Sequence, residues 1–520
     1  MLPLSRNPLI YRQWRIAFRP TKLAGTLLVV GCLLLLTLAL ISLHQTDAMA
    51  RSINWAQTWR VFATVVLGLQ VVLAYYAALA AGMDSVATEK LRKTQEFLVT
   101  LPIGPADKAV GLAIGHNLHP LLLILLLTPL AILAGSSGGM DLGQLVWLQA
   151  LVYAGFAACS LAGVAMSAGM GGGPVGWVVV LLLGGAGLSV MEAAGEERIM
   201  PLLTICPFAA VRAAYLTAVG PWGDCAPDVA DVFRQGGCHF FSTEVPWQVA
   251  PLAFLIFFAA LAYLVARRKL SRPSGPPLHR GLVVVAFIVF QVLLVGFLAD
   301  ALGHEADNAD DIVATSLSVY FVFVLLWALL SQPDYAALME WVQARGFRPG
   351  QLLGQAFGNR RCPNLVPMAA LWVIAAGTMV ATNRLYWDTL DDARVLITCG
   401  TLLAFLLLYQ LVLLLMSVSV RRNGRILGLL LVVACVAIPV AFSTIPEMEG
   451  LVRLTPMGLF ENFGDHVIRE PFGEDYWRRI IIGSVAACLG AAVVAGLCIA
   501  QLRALRRMTP QANRPTPDAA

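Results

Sequence analysis

Along most of this chain apolar residues run for about 20 positions at a time, the length that crosses the roughly 30 Å of a bilayer's hydrocarbon. Polar residues gather in the stretches between. A soluble core helix would show a polar face every 3.6 residues, and these runs show none. The pattern predicts twelve membrane-spanning helices: 23–43, 60–82, 109–134, 144–168, 174–192, 247–266, 281–301, 313–331, 364–382, 395–419, 425–444 and 479–502. The expected fold is an all-α, polytopic transmembrane bundle. The first run follows a basic segment and lacks a small-residue cleavage site, so it reads as a retained span and not a removable signal peptide.

The order of segments reads as six spans written twice. In each half a wet cytoplasmic segment is expected after the second span, at Met83–Lys108 and Gln332–Arg361, and a long outer loop before the sixth, at Ala193–Pro246 and Ile445–Trp477. Residues echo too: Glu96-Phe97-Leu98-Val99 before Pro105 and Gly111 matches Glu340-Trp341-Val342-Gln343 before Pro349 and Gly354. Leu203-Thr204 with Pro207-Phe208 is matched by Leu454-Thr455-Pro456-Met457. Because six is even, both copies point the same way, as in parallel repeats related by an axis along the membrane normal. The expected domains are 1–270, with a cytoplasmic helix near 86–102 and outer loop 193–246; 271–508, with a degenerate segment near 333–355 and outer loop 445–477; and a disordered cytoplasmic tail, 509–520.

Charge orients the bundle. Hydrophobic residues make up 58% of the 520 positions and charged residues 13%, far from the balance of a soluble domain. With the N-terminus inside, about 25 of the 36 basic residues fall in cytoplasmic segments, from Arg6, Arg12, Arg15 and Arg19 through Lys90 and Arg92 to Arg503, Arg506 and Arg507. The opposite side carries Glu305, Asp307, Asp310 and Asp311, then Asp388, Asp391 and Asp392. Both termini are therefore expected in the cytoplasm. The net charge of +5 reflects that orientation, and no nucleic-acid partner is needed to explain it.

The most informative stretch runs Glu89-Lys90-Leu91-Arg92-Lys93-Thr94-Gln95-Glu96-Phe97-Leu98-Val99-Thr100-Leu101-Pro102. Read as a helix from Thr88 to Pro102, it sets Leu91, Phe97, Leu98 and Leu101 on an apolar stripe and leaves Glu89, Lys90, Arg92, Lys93 and Glu96 wet. Pro102 and Gly104-Pro105 end it, and Asp107 is expected to cap the next helix. The stretch resembles the cytoplasmic coupling segment of type 2 ABC transporter permeases. Glu89, Lys90, Arg92, Thr94, Glu96, Leu98, Thr100 and Pro102 fall into step with that family's pattern, with one extra residue before the proline. Leu91 stands where the family has an acid, and Lys93 where it has glycine. Asn7-Pro8-Leu9-Ile10-Tyr11-Arg12-Gln13-Trp14-Arg15 is likewise similar to the family's short basic helix before the first span.

The resemblance implies the permease subunit of an ATP-binding cassette exporter in a bacterial inner membrane, with two six-span halves fused. ATP and Mg would be bound and hydrolysed on a separate soluble ATPase, not here. The chain holds no Gly-x-x-x-x-Gly-Lys-Ser/Thr phosphate loop, and it is not expected to be an enzyme or to bind a cofactor. By the resemblance, Glu89, Lys90, Arg92, Thr94, Glu96, Pro102 and, in the second half, Glu340 would transmit ATPase motion, tilting the bundle by alternating access. The second segment, 336–347, has lost much of the charge pattern. One chain would form the path as a pseudo-dimer, or two would pair. Membrane lipids are the other expected partner.

Two further readings compete. An ion-coupled carrier needs buried carboxylates or histidines along its path, but the span middles hold only isolated amides such as Gln70, Gln149, Gln291 and Gln410. A lipid-modifying enzyme needs a clustered acid, His or Ser set at one face, and no such spacing is visible; Gly187-Leu188-Ser189 lacks the closing glycine of a nucleophile elbow. An apolar path suits lipid-like or amphiphilic cargo. His116 and His119 are a conceivable metal pair without a third ligand, outweighed by a structural role. Of ten cysteines, Cys225 and Cys238 are the candidate disulfide, with Cys206 as competitor, because they share a long outer loop. Ile199–Leu216 reads as an amphipathic helix that dips into the outer leaflet or packs on the bundle.

Overall fold

The computed structural model describes residues 7–19, most of 24–39, 55–91, 102–170, most of 238–271, 278–298, several of 316–338, most of 365–385, 392–419 and 474–508. Among them the protein is overwhelmingly helical. Eight helices are long and apolar enough to cross a membrane: Thr58–Glu89, Leu118–Ser137, Leu142–Gly169, Val249–Ser271, Arg280–Phe297, Leu365–Thr382, Val395–Ser419 and Ile480–Leu502. They coincide with eight of the twelve expected spans. Helical residues also occur within 24–39 and 316–327, whereas 174–192 and 425–444 lie outside the described residues. So do Ile199–Leu216 and the tail 509–520.

The chain divides into two compact units, one of residues 1–273 and 292–301, the other of 274–291 and 302–520. In the first, α1 (Pro8–Ala17) precedes α2 (Trp55–Val72), which continues through one π turn (Leu73–Ala77) into α3 (Ala78–Leu91). Then follow α4 (Pro105–His116), α5 (Leu118–Ser137), α6 (Leu142–Met170) and α7 (Val249–Ser271). Helix α6 is central, packing on α3, α7, the π turn, α4 and α5. Gly82 on α3 and Gly163 on α6 put the two backbones in contact: a Cβ on Gly82 would stand 2.7 Å from the Ser160 carbonyl oxygen. Close approach through small residues is how helices gain packing energy in lipid, where apolar surface alone gives none. At the π turn the Tyr75 ring fills the space that a side chain on Gly155 would need, and its hydroxyl donates to the Leu151 carbonyl at 3.4 Å.

Three expectations about this unit are corrected. The single span 109–134 is two helices that part at Asn117. Pro120 has no N–H to offer the His116 carbonyl, and at Asn117 the backbone N–H turns to Ile114 O at 3.2 Å while the side-chain Nδ2 donates to Ala113 O at 2.9 Å. Second, the span expected to stop at 82 runs on as helix to Leu91. Met83, Ser85, Val86, Ala87 and Glu89 are buried, not wet, and the Val86 and Ala87 amides donate to Ser167 Oγ on α6 at 3.2 and 2.9 Å. Third, Gln70 and Gln149 are not isolated. Gln149 Nε2 donates to Gln70 Oε1 at 2.9 Å, and Gln70 Nε2 returns a 3.3 Å bond to Gln149 Oε1. Gln70 Nε2 also reaches the Thr128 hydroxyl at 3.1 Å, which shares a 2.7 Å bond with Tyr153. Two amides with complementary donors and acceptors satisfy each other where neither could find water.

The all-α expectation meets one exception in this unit. Strands β1 (Cys238–Phe240) and β2 (Thr243–Val245) form an antiparallel hairpin. Phe241 at its tip has φ 51, a left-handed conformation rare for an aromatic residue, and its N–H donates to the Gly296 carbonyl at 2.8 Å. Phe240 packs on Phe297 with ring centroids 4.9 Å apart, and a side chain on Gly296 would strike the Phe240 ring.

Helix α8 (Arg280–Leu298) contributes residues to both units. The second unit also holds α9 (Leu365–Thr382), α10 (Asp392–Ser419) and α11 (Glu474–Met508). Aromatic rings fill its interior: Phe290 stacks on Phe323 at 3.6 Å, and Phe321 meets Trp372 and Tyr409 edge-on at 6.1 and 6.2 Å. Trp372 Nε1 donates to the Cys399 carbonyl at 2.8 Å, so the indole enters an apolar core with its polar atom satisfied. Thr401 and Ser484 join α10 to α11 through a 2.9 Å hydroxyl bond.

Candidate coupling site

The residues that flank the family-like stretch are held in one place by α1. Asn7 caps that helix, its side-chain oxygen accepting from the Leu9 amide at 3.0 Å, and Pro8 supplies a first-turn residue that needs no donor. The same Asn7 side chain donates to the Asp107 carbonyl on α4 at 2.8 Å. Gly111, on α4, permits that approach; a Cβ there would meet Asn7 Nδ2 at 2.7 Å. One turn on, Gly115 faces the Gln13 side chain, and the Gln13 amide donates to His116 Nε2 at 3.3 Å. Glycines four apart are a general device for bringing two helix backbones together.

The other edge of α1 reaches α3. Arg12 Nη1 lies 3.4 Å from Glu89 Oε1; the arginine side chain is 50% exposed and the glutamate 7%. Glu89, expected to be wet, is buried in the last turn of α3, where the Arg12 guanidinium partly compensates its lost hydration. Lys108, in the first turn of α4, is buried too, and desolvation lowers its pKa from the ordinary 10.5. Asp107 does not cap α4. Gly104 takes that position, Pro105 the next, and Asp107 sits in the first turn, where its charge favours the positive end of the helix dipole.

Helix α1 therefore bonds to residues on both sides of 92–101: Glu89 before that segment and Asp107 after it. Lys90 falls in the last turn of α3, and Pro102 is exposed, just ahead of α4. Arg92, Thr94, Glu96 and Glu340 lie outside the described residues, as does Cys225. Cys238 opens β1. His116 and His119 fall on either side of the helix break, and among the described residues no group of His, Cys, Asp or Glu is arranged to hold a metal ion. The α1 contacts escaped the sequence reading, although Gly111 and Gly115 at four-residue spacing and the opposite charges of Arg12 and Glu89 are the signals that could have revealed them.

Comparison with known proteins returns no match: no family model, no curated protein and no solved structure aligns with this chain.

Proposed function

We propose that this chain is the permease subunit of an ATP-binding cassette transporter, an exporter with twelve spans in two parallel halves and both termini in the cytoplasm. A separate soluble ATPase binds ATP and Mg, and its closure pushes on the segment that begins at Glu89. The observation that carries the reading is the attachment of α1 to both flanks of that segment. A push on residues 92–101 is received by a frame of α1, α3 and α4, and α3 is continuous with a membrane-length helix, so displacement at the surface passes into the bundle without a flexible break. Packed, contiguous elements are one means of carrying such coupling, and the Arg12–Glu89 and Asn7–Asp107 contacts support this reading by tying α1 to both flanks.

An ion-coupled carrier is disfavoured by the placement of charge. In the eight membrane-length helices every Asp, Glu, Lys and Arg lies within the first or last two turns, and buried polar groups in the middles are amides and hydroxyls. The test is co-purification of the tagged chain with a soluble ATPase, followed by reconstitution of both in liposomes. ATP-dependent transport, lost in Glu96→Lys while the protein still folds and inserts, is the expected result. Transport driven by an ion gradient with no ATPase present refutes the reading.

A further inference from the structure

Helix α1 turns two unlike faces to its surroundings. Asn7, Leu9 and Ile10 are buried against its neighbours, while Tyr11, Arg12, Trp14 and Arg15 are exposed, and Arg19 just beyond the helix is exposed as well. Tyr11 and Trp14 are 53% and 47% accessible. They are not loose: the Arg15 guanidinium lies 4.9 Å over the Tyr11 ring, and Trp14 stacks on Phe18 at 4.0 Å. Both pairs are four residues apart, so one helix side presents ordered rings with Arg15 among them, and the exposed Arg19 follows just beyond the helix end. No acidic residue falls between Asn7 and Arg19.

The tethers of α1 fix the height of that face. Helical residues resume at Ala24, and the four residues from Pro20 to Leu23 can span no more than about 14 Å. On the other side α1 packs on α4 and on α5, whose apolar, membrane-length run opens at Leu118. Both connections keep the helix beside the ends of apolar, membrane-length runs, and in a bundle that crosses a bilayer those ends are where hydrocarbon gives way to water. Rings with an apolar body and a polar edge concentrate at that boundary, and arginines beside them meet the phosphates of the headgroups.

We propose that the Tyr11–Trp14–Arg15–Arg19 face is a binding surface for anionic phospholipid headgroups, so that α1 docks the frame around residues 92–101 to negatively charged membrane. The phosphodiester pairs with Arg15 and Arg19, and the rings of Tyr11 and Trp14 sit at the acyl boundary. Arg12 is excluded from this role because it faces Glu89. The inference rests on the membrane placement of the chain and is independent of the transport reading.

The test is hydrogen–deuterium exchange of the full-length protein in detergent, titrated with phosphatidylglycerol or with phosphatidylcholine. Phosphatidylglycerol is expected to slow exchange across residues 8–19 at mole fractions where phosphatidylcholine does nothing. Arg15→Gln with Arg19→Gln should shift that midpoint roughly tenfold or more toward higher lipid, with residues 105–116 exchanging as before. Arg15→Lys with Arg19→Lys should restore the response, since headgroup attraction needs charge and not the guanidinium fork; it also serves if the glutamine pair unfolds α1. Equal protection by the zwitterionic lipid, a glutamine variant that titrates like the parent, or a lysine variant that loses the response each overturns the proposal.

Discussion

At the scale of single residues the site is asymmetric, and the asymmetry can be measured. Arg12 is half-exposed and can recover water if Glu89 is removed; Glu89 is buried and cannot if Arg12 is removed. Arg12→Gln removes a guanidinium that partly offsets the buried Glu89 charge and should lower stability by about 1 kcal/mol in thermal unfolding of the purified protein. Gly111→Ala places a methyl against Asn7 and should cost about 1–3 kcal/mol, seen first as faster exchange of residues 8–17. Lys108 gives a pH dependence of known sign. Its folded pKa is lowered by burial, so the unfolded chain holds the proton more tightly. Stability should rise as alkaline pH climbs toward the ordinary lysine value, and Lys108→Met should flatten that slope. The sequence held hints of the pairing in Gly111, Gly115 and the opposite charges of Arg12 and Glu89, but not of the burial: Glu89 and Lys108 read as two more wet charges. Burial of a polar group is decided by what packs around it, and the contacts that meet here, Arg12 with Glu89 and Asn7 with Asp107, join residues roughly 80–100 positions apart.

Elements were legible in proportion to how much of their signal is local. Helix α9 matches the expected 364–382 closely because hydrophobicity alone sets its ends. The break at Asn117 was written in the sequence as well, in Pro120 three residues on, but a continuous apolar run masks a proline that only shifts one hydrogen bond. The Gln70–Gln149 pair was not legible, since its residues lie on different helices. Its energetics distinguish pairing from coincidence. Gln70→Leu alone leaves the Gln149 amide without its reciprocal partner and should cost about 1 kcal/mol, while the double change to leucine should cost about 0.6 kcal/mol less than the sum of the two single changes in a double-mutant cycle. The same reasoning applies to Gly155, whose replacement by alanine should be rescued by Tyr75→Leu.

For the molecule as a whole, the alternation of basic and acidic segments predicts that an alkaline phosphatase fused after residue 520 is inactive and one fused after Phe241 is active. A reversed pattern would invert every assignment of inner and outer face, including that of α1 and of residues 92–101. The orientation is a property of loops counted over the entire chain, which is why no single contact carries it.

By itself the sequence determined that the protein is a helical membrane bundle and where eight of its long helices lie. Those features follow from the length and continuity of apolar runs, and in hydrocarbon a backbone must satisfy its own hydrogen bonds within such a run. Only the tertiary structure decided which polar residues are paired, where α2 and α3 join into one helix that buries Glu89, and how α1 clasps both flanks of residues 92–101. Those outcomes depend on Arg12, Asn7, Gly111 and Glu89 meeting across long stretches of chain, and no local periodicity records such a meeting.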